Sequence, residues 1–409
     1  MKKEYLDLAY AFRKSKIWKK IYEEELFAVR LPKARGKKKD EIGYCVIMGR
    51  NGEHLCLAVY IGDKGFSTLR ELMSGEHEGL AGLLSQDCIQ CSMETREEME
   101  EEELEELRAY CQASGKPFRA PFPRFARFMP HCFPWFIRKP SDWQAIAEAL
   151  RVVNGMAAVM TEQGKEALGL RPVKIGLAGQ AYGAEQMSLI HSLPTEEVTI
   201  PLYSLVGEEL KAERIPLPPC REKNYPKPAR INDIAVAKMM KSPQVGTLQC
   251  EVIRASAPVE GDPPYVPALL MTVDEAGMVH TPALGHGPEY DPDDMLEQFI
   301  ASLEGSYPAN IRVRTEETRA LLEGFCSRAK IRLETSGNMD LLDKAAASLE
   351  ESMMNGADED GMVEETIRML EAMPEEAIRE MPDFILNQLM SMTDLLPEAL
   401  INKLQRAMK

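Results

Sequence analysis

The sequence lacks the features that mark membrane-spanning and secreted proteins. It contains no apolar run of the roughly 18 residues that a membrane helix requires. Lys2 and Lys3 lead into acidic and aromatic side chains rather than into the apolar segment of a secretion signal. The nine cysteines, an odd number, are spread along the chain, which is typical of reduced thiols. These absences predict a cytoplasmic protein.

The sequence motifs of several large enzyme classes are also missing. Gly176, Gly179 and Gly183 have neither the spacing of a dinucleotide-binding loop nor the Lys-Ser/Thr of a phosphate-binding loop. There is no Gly-x-Ser-x-Gly elbow that would present a serine nucleophile. The six histidines are dispersed, and the Pro and Gly near His280 and His286 favour loop positions for these two. No catalytic motif is complete.

The charge is strongly acidic overall and unevenly distributed. Lys and Arg number 49 and Asp and Glu number 65, which gives a net charge of −16. Residues 1–39 are basic instead, with thirteen basic and five acidic side chains. An acidic surface repels nucleic-acid phosphates and anionic lipid headgroups at long range. We therefore expect a protein partner or self-association, with no membrane and no nucleic acid bound.

The length and composition predict a soluble protein of two or three domains. With 409 residues and 44% hydrophobic side chains, the chain can bury substantial cores. Shifts in periodicity, proline content and charge predict five segments: a basic amphipathic helix at 1–26, a first α/β domain at 27–215, a Pro-rich linker at 216–244, a second α/β domain at 245–351 and a Met-rich acidic helical tail at 352–409.

The first domain begins with strand-like alternation. Three predicted strands follow one another, and Asn51-Gly52 between the second and third is a strong hairpin signal because both residues tolerate positive φ. Helix and strand patterns then alternate as far as a long helix that begins after Pro140. The acidic run at 97–106 lies on a helix and is interpreted as a solvated face. The element order is βββαβαβα.

The second domain repeats this order. A turn from Asp274 to Gly277 separates two strands, Asp291 followed by Pro292 begins a helix, and Thr315 caps another. The repeated order predicts a tandem duplication. The predicted fold class is α+β (mixed α/β), with two tandem βββαβαβα units that are ribonuclease-H-like in element order, plus the helical tail. Such an order carries no function by itself.

Several strings resemble those of a known bacterial family. FAVRLP, VIMGRNGEH and AVYIG in the first half resemble a bacterial protein family described only as a domain of unknown function. PANIRVRTEETRALL in the second half resembles a companion domain of unknown function that is often joined to it. Together the two resemblances cover roughly residues 15 to 350. They imply the domain division and bring no activity, cofactor or catalytic residue.

A ribonuclease-H-like order raises the alternative of a metal-dependent nuclease. That chemistry needs carboxylates from several elements around two Mg²⁺ or Mn²⁺ ions. The candidates lie on the first strand, the first helix, after the fourth strand and on the last helix: Glu251, Glu297, Glu316 or Glu317, and Asp340 or Asp343. An acidic chain offers carboxylates almost anywhere, so surface and cap roles compete with this interpretation. No cofactor is predicted otherwise.

Cys88, Cys91, His131 and Cys132 form a possible zinc set by residue type. The spacing fits neither a zinc finger nor a ribbon. Cys88 and Cys91 lie in a predicted strand, where residues three apart point to opposite faces, so only a turn would bring both sulfurs to one ion. Buried thiols that pack as small apolar side chains are the preferred interpretation.

Two apolar surfaces favour a non-enzymatic binding or regulatory function. The Pro and aromatic segment at 118–136 ends in Trp135 and Phe136, which are candidate contact residues. In the Met-rich tail, Phe384 and Met392 are the corresponding candidates, because methionine-rich surfaces adapt to several partners. For both surfaces, packing inside the protein or in an oligomer is the competing interpretation. We predict a binding module, with the nuclease as the alternative.

Overall fold

The structure, a computed structural model, contains two compact units. It describes residues 2–32, 41–74, 79–173, 198–219, 224–255, 257–280, 282–303, 305–355 and 403. The first unit consists of Met1–Tyr225, Pro258–Pro267 and His286–Tyr290, and the second of Pro226–Ala257, Ala268–Gly285 and Asp291–Lys409. Two short segments from the second half of the chain therefore belong to the first unit.

The first unit is built on a seven-stranded sheet. Its strands are β1 (Phe27–Leu31), β2 (Glu41–Met48), β3 (Cys56–Ile61), β4 (Cys88–Glu94), β5 (Phe122–Phe128), β6 (Thr199–Val206) and β7 (Glu209–Pro216). Its helices are α1 (Lys3–Ser15), α2 (Gly62–Ser74), α3 (Gly79–Ser85), α4 (Glu101–Ser114) and α5 (Pro140–Gln163). The spatial order of the strands is β5-β4-β3-β2-β1-β6-β7.

Strands β1 to β5 form one antiparallel meander, and β6 pairs in parallel with β1. The 24-residue helix α5 makes this parallel pairing possible, since it carries the chain from β5 at one edge back across the sheet. Strand β7 continues from β6 as a hairpin whose outer side chains are largely exposed and charged. A charged edge strand resists pairing with other chains.

Both faces of the central strands are buried. Phe27, Val29 and Val59 lie in one core cluster, which also contains buried residues of α1, α4 and α5. Ala28 and Ala58 lie in a second cluster with residues of α2. Strands buried on both faces are apolar nearly throughout, which explains why β2 and β3 show little alternation between apolar and polar residues.

The single helix expected over residues 1–26 is shorter in the structure. Helix α1 ends at Ser15, Lys16 adopts a left-handed conformation with φ 51°, and a short 3₁₀ turn, Ile17–Lys19, follows. The Ser15 hydroxyl accepts a hydrogen bond from the backbone N–H of Ile17 at 3.3 Å, which supports the break. Helix α1 packs on α5 and buries Phe12 completely. It is part of the core rather than a free arm.

The second unit is built on a five-stranded sheet. Its strands are β8 (Thr247–Arg254), β9 (Ala268–Val273), β10 (Ala283–Leu284), β11 (Asn310–Val313) and β12 (Arg332–Thr335). Its helices are α6 (Asp233–Met239), α7 (Pro292–Ser302), α8 (Glu316–Ala329) and α9 (Asp340–Asn355). The spatial order is β10-β9-β8-β11-β12, in which β9 is antiparallel to β8 and β10, while β11 is parallel to β8 and β12.

The mixed α/β fold class predicted from the sequence is confirmed. The second unit has the strand order of a ribonuclease-H-like sheet, with the first strand between a meander and two parallel strands. The first unit shares the order β3-β2-β1 followed by a parallel strand, but its β4 pairs with β3 and its β7 is antiparallel to β6. The element order alone did not determine these pairings. The tandem duplication stays a prediction.

The helix caps and the turn predicted for the second unit are present in the structure. Asp291 caps α7 by accepting from the N–H of Asp293 at 2.9 Å, and Thr315 caps α8 by accepting from Thr318. Asp274 and Gly277 form the predicted turn. The segment 216–244, predicted as a linker, differs from expectation because it contains α6. No described helix is long and apolar enough to cross a membrane.

Candidate functional site in the second unit

Strand β8 separates two environments because successive side chains of a strand point to opposite faces. The N–H of Val252 donates to the buried hydroxyl of Thr318 on α8, at 2.9 Å. On α9, the N–H of Leu342 donates to the side chain of Gln249 at 3.1 Å. Glu251, two residues beyond Gln249, therefore lies on the α9 face of the sheet, where it is 8% exposed.

Arg314 connects two carboxylates on this face. It follows β11, the parallel neighbour of β8, and its Nη2 lies 3.2 Å from Oε2 of Glu251. The same Nη2 donates a hydrogen bond to Oδ1 of Asp343 on α9. One guanidinium thus bridges acids from a strand and a helix. We call Glu251, Arg314 and Asp343 the charged triad.

The triad has a defined electrostatic character. Burial raises the pKa of Glu251 above its ordinary value of 4.5, and Asp343 raises it further, while Arg314 acts in the opposite direction. The hydrogen bond to Asp343 and the charge of Glu251 raise the pKa of Arg314. Arg314 therefore stays charged at any physiological pH and supplies the positive charge that the two carboxylates share.

A polar cleft of about 630 Å³ lies on the same side of the unit. Its lining comes from β8, β11, β12, the connection to α9 and α9 itself: Gln249, Arg312, Glu334, Thr335, Ser336, Asn338, Asp340, Leu341 and Lys344. The register sets Arg312 directly between Gln249 and Glu334 on the neighbouring strands. A cavity of this size is in the range of small-molecule sites, and ligands of open α/β sheets bind near the carboxyl ends of parallel strands.

The charges of the cleft are only partly paired. Glu334 lies 2.8 Å from Nε of Arg332 and 3.6 Å from Nε of Arg312, so its closer partner is the arginine outside the lining. Within the described residues, Lys344 and Asp340 have no ion-pair partner. The first turn of α9 is capped from the cleft side, since Asn338 accepts from the N–H of Asp340 at 3.3 Å. The cleft combines basic, acidic and neutral polar groups.

Among the described residues, the carboxylates predicted for a nuclease do not converge on one place, and Glu251 and Asp343 are joined only through Arg314. Glu251 belongs to the charged triad and Asp340 to the polar cleft. Glu297 is exposed and lines a separate cavity of about 510 Å³ beside α6 and α7, and Glu316 is exposed in the first turn of α8. In the part of the chain that the structure describes, no group of three or more His, Cys, Asp or Glu side chains is arranged to hold a metal ion.

The zinc candidates also lie apart. Cys91 is buried in the core cluster beneath α4 and α5, whereas Cys88 belongs to the cluster on the opposite face of the sheet. Burial raises the pKa of Cys88 to about 12, so this sulfur stays a protonated thiol. Burial also raises the pKa of Cys132, and His131 has a left-handed backbone with φ 64°. The four side chains form no described metal group.

The aromatic candidates of the first unit have different environments. Phe136 is 47% exposed, with its ring centroid 5.1 Å from that of Trp135. Trp135 is half-buried, and its backbone pairs with Arg127 on the edge strand β5. Two residues before Trp135, the N–H of Phe133 donates to the carbonyl of Pro264. Pro264 lies in the segment Pro258–Pro267, which belongs to the same unit. Phe384 and Met392 lie outside the described residues.

Arg312, Arg314 and Lys344 are site residues that sequence reasoning missed. The signal was present, because the string IRVRT sets both arginines on one face of a strand with period two. Only the pairing of β11 with β8 brings that face next to Glu251. Asp343 was predicted only as an alternative to Asp340 among the metal ligands of a nuclease. In the structure it accepts a hydrogen bond from Arg314.

Family comparisons identify both halves of the chain. Residues 3–170 match the family described as Domain of unknown function (DUF7309), and residues 235–350 match Domain of unknown function (DUF6930). The chain carries two adjoining domains of unknown function. This confirms the resemblance predicted from the sequence, while the bacterial origin stays a prediction. The DUF6930 match contains both the charged triad and the polar cleft.

The remaining comparisons add no chemistry. No curated protein is found to match the chain. Among solved structures, the chain is similar to "Structure of the HTLV-2 integrase catalytic core domain in complex with magnesium (trimeric form)", with 16% identity over 41% of this chain and 83% of that chain. The TM-score of this similarity is 0.20, which is too low to support an inference.

Proposed function

We propose that this protein is a non-enzymatic binding or regulatory module. The observation that carries the proposal is Arg314, whose Nη2 lies 3.2 Å from Glu251 and bonds Asp343 as well. A two-metal nuclease needs its carboxylates to converge on divalent cations. Among the described residues, the two candidate acids that come together, Glu251 and Asp343, already share a cation that is covalently part of the chain.

The chemistry of the triad does not fit a divalent ion. An ion placed between Glu251 and Asp343 would have to displace the guanidinium, and the displaced Arg314 would remain beside it as a like charge. The carboxylates would also lose the charge-assisted hydrogen bond from Arg314 to Asp343 and the ion pair between Arg314 and Glu251. Both effects oppose metal binding.

A cleavage assay tests this proposal. The full chain is incubated with single-stranded and double-stranded RNA and DNA in Mg²⁺ or Mn²⁺, and we expect no product above the buffer control. The proposal is overturned by metal-dependent cleavage that Glu251→Gln and Asp343→Asn both abolish. Glu275→Gln is the matched control, because Glu275 is an exposed acid of the same unit that belongs neither to the charged triad nor to the nuclease candidates. Cleavage that persists equally in all three variants would indicate a contaminant.

For a protein partner, Phe136 is the proposed contact residue. It is a large exposed aromatic side chain next to a second ring, as is common at the centres of interfaces. Replacing it with Ser should weaken self-association, measured by sedimentation, or retention of a partner, without unfolding the first unit. Val206→Ser is the control, because Val206 is also an exposed apolar residue of that unit. Equal effects of the two substitutions contradict the assignment.

A cytoplasmic location is also proposed. Its support is that eight cysteines are described as buried free thiols, and the ninth leaves the total odd. Fractionation of cells expressing the full chain, followed by detection with an antibody, tests the location. Recovery in an extracellular or periplasmic fraction with disulfide-linked cysteines would refute it.

A further inference from the structure

We propose that the polar cleft of the second unit binds a phosphorylated sugar or polyol, with its phosphate against Arg312 and Lys344. This inference rests on the proposed binding function and specifies its ligand. The cleft is separate in its lining from the charged triad, which uses Glu251, Arg314 and Asp343.

Arg312 is the first reason for expecting an oxyanion. The register sets it between Gln249 and Glu334, on the middle one of three paired strands. Its Nε is 3.6 Å from Glu334, beyond hydrogen-bonding distance, and Arg332 is the closer partner of that carboxylate. Among the described residues, Arg312 forms no hydrogen bond. An arginine fork with free donors matches the geometry of a phosphate.

Lys344 supplies a second cation from a different element. It lies on α9, one turn after Asp340, and lines the cleft opposite the strand residues. Two basic side chains from a strand and a helix converge on one cavity. A phosphomonoester carries close to two negative charges and accepts from several donors at once, whereas a carboxylate has only two oxygens. The donor set therefore favours phosphate over carboxylate.

The neutral and acidic lining indicates the rest of the ligand. The amide nitrogens of Asn338 and Gln249 can donate hydrogen bonds to hydroxyl groups, since only the amide oxygens of these side chains accept hydrogen bonds within the described part of the protein. Asp340 and Glu334 can accept hydrogen bonds from hydroxyl groups of the ligand. Their negative charges would repel a second phosphate. The volume of about 630 Å³ exceeds what a lone phosphate fills. A ligand with one phosphate and several hydroxyl groups fits the amide donors, the two carboxylates and the volume of the cleft.

Isothermal titration calorimetry of the full chain tests the inference with four probes: glucose 6-phosphate, glycerol 3-phosphate, inorganic phosphate and glucose. We expect the two phosphate esters to bind, inorganic phosphate to bind more weakly and glucose not to bind. Arg312→Gln combined with Lys344→Gln should weaken ester binding by about a hundredfold or more, since it removes both charged hydrogen-bond donors from the phosphate. Both side chains are exposed, so circular dichroism should report a folded variant.

Arg328→Gln is the matched control and should bind like the unmodified protein. Arg328 is an exposed arginine of the same unit that pairs with Asp233 and does not line the cleft. The inference is overturned if no ester binds, if inorganic phosphate binds as tightly as the esters, or if the double substitution leaves affinity unchanged. None of these results bears on nucleic-acid cleavage, so the cleavage assay separates this failure from failure of the proposed function.

Discussion

Nη2 of Arg314, the residue that follows β11, lies 3.2 Å from Oε2 of Glu251 on the parallel neighbour β8. This contact places an arginine beside an acid that the sequence had offered as a metal ligand. The second acid, Asp343, is contributed by α9. The triad therefore links the sheet to the last described helix, and its loss should have both structural and chemical consequences.

Replacing Arg314 with Gln should destabilise the protein and create weak metal affinity. Glu251 would stay buried without its cation, and Asp343 would face it as a like charge. Since Arg314 is about one-third exposed, solvent screening reduces the cost to about 1–2 kcal/mol. Urea unfolding measures the stability, and Mn²⁺ titration calorimetry measures the affinity.

Arg319→Gln provides the comparison for this substitution, because Arg319 pairs with exposed Glu323 on the surface of α8. It should change stability by less than about 1 kcal/mol and leave Mn²⁺ binding unchanged. If Arg314→Gln behaves like Arg319→Gln in both measurements, the triad does not have the importance assigned to it.

The stability contributed by Glu251 should depend on pH. Because burial raises its pKa in the folded protein, the folded state retains this proton to a higher pH than the unfolded chain does. The free energy of unfolding therefore decreases as the pH rises above 4.5, the ordinary pKa of a glutamate, and Glu251 ionises. In Glu251→Gln this decrease should be absent. Urea unfolding of both proteins across that pH range gives the two slopes, and identical slopes would contradict the raised pKa.

Truncating Phe12 to Ala should cost about 3–5 kcal/mol, as expected for a large side chain deleted from a packed core. Phe12 is fully buried, and its ring lies 5.1 Å from that of Trp18. A basic N-terminal arm that served only to orient partners would tolerate the change. Lys14→Ala, an exposed substitution in the same helix, is the control and should be nearly neutral. Thermal and urea unfolding report both.

The described thiols should be unreactive in the native protein. Burial raises the pKa of Cys88 and of Cys250 to about 12, and all eight described cysteines are buried. In a Cys220→Ser variant, which removes the cysteine outside the described residues, Ellman's reagent at pH 8 should label no thiol rapidly. Adding urea should expose all eight. Rapid native labelling of Cys88 or Cys91 would show that these thiols are accessible and would reopen a metal-binding role for them.

The sequence was most informative where structure depends on neighbouring residues. Asp291, Thr315 and the turn at Asp274 were predictable because a cap or turn is determined within a few positions. Strand pairing is not determined locally. Strand β4 has the same apolar character whether it lies beside β1 or beside β3, and only the tertiary fold selects β3. The two units therefore share an element order in sequence, although the strands of their sheets are paired differently.

The candidate site was predicted only in part for a related reason. Acids could be found at the expected positions, and Glu251 was among them, but the sequence does not show which basic side chain will reach an acid across two strands. Arg314 is 63 residues from Glu251 along the chain. The parallel register of β11 with β8 brings them together, so that Glu251 takes part in internal charge pairing rather than in the metal-binding, surface or cap roles considered for it.

The unequal division of the chain has an evolutionary consequence. The segments Pro258–Pro267 and His286–Tyr290 belong to the first compact unit, yet they lie inside the residues that match the second family. A gene fusion or exchange that transferred only residues 235–350 would remove the segment whose backbone pairs with His131 and Phe133. The donor would lose part of one fold, and the recipient would acquire two loops with nothing to pair with. Selection should therefore favour inheritance of the two halves together.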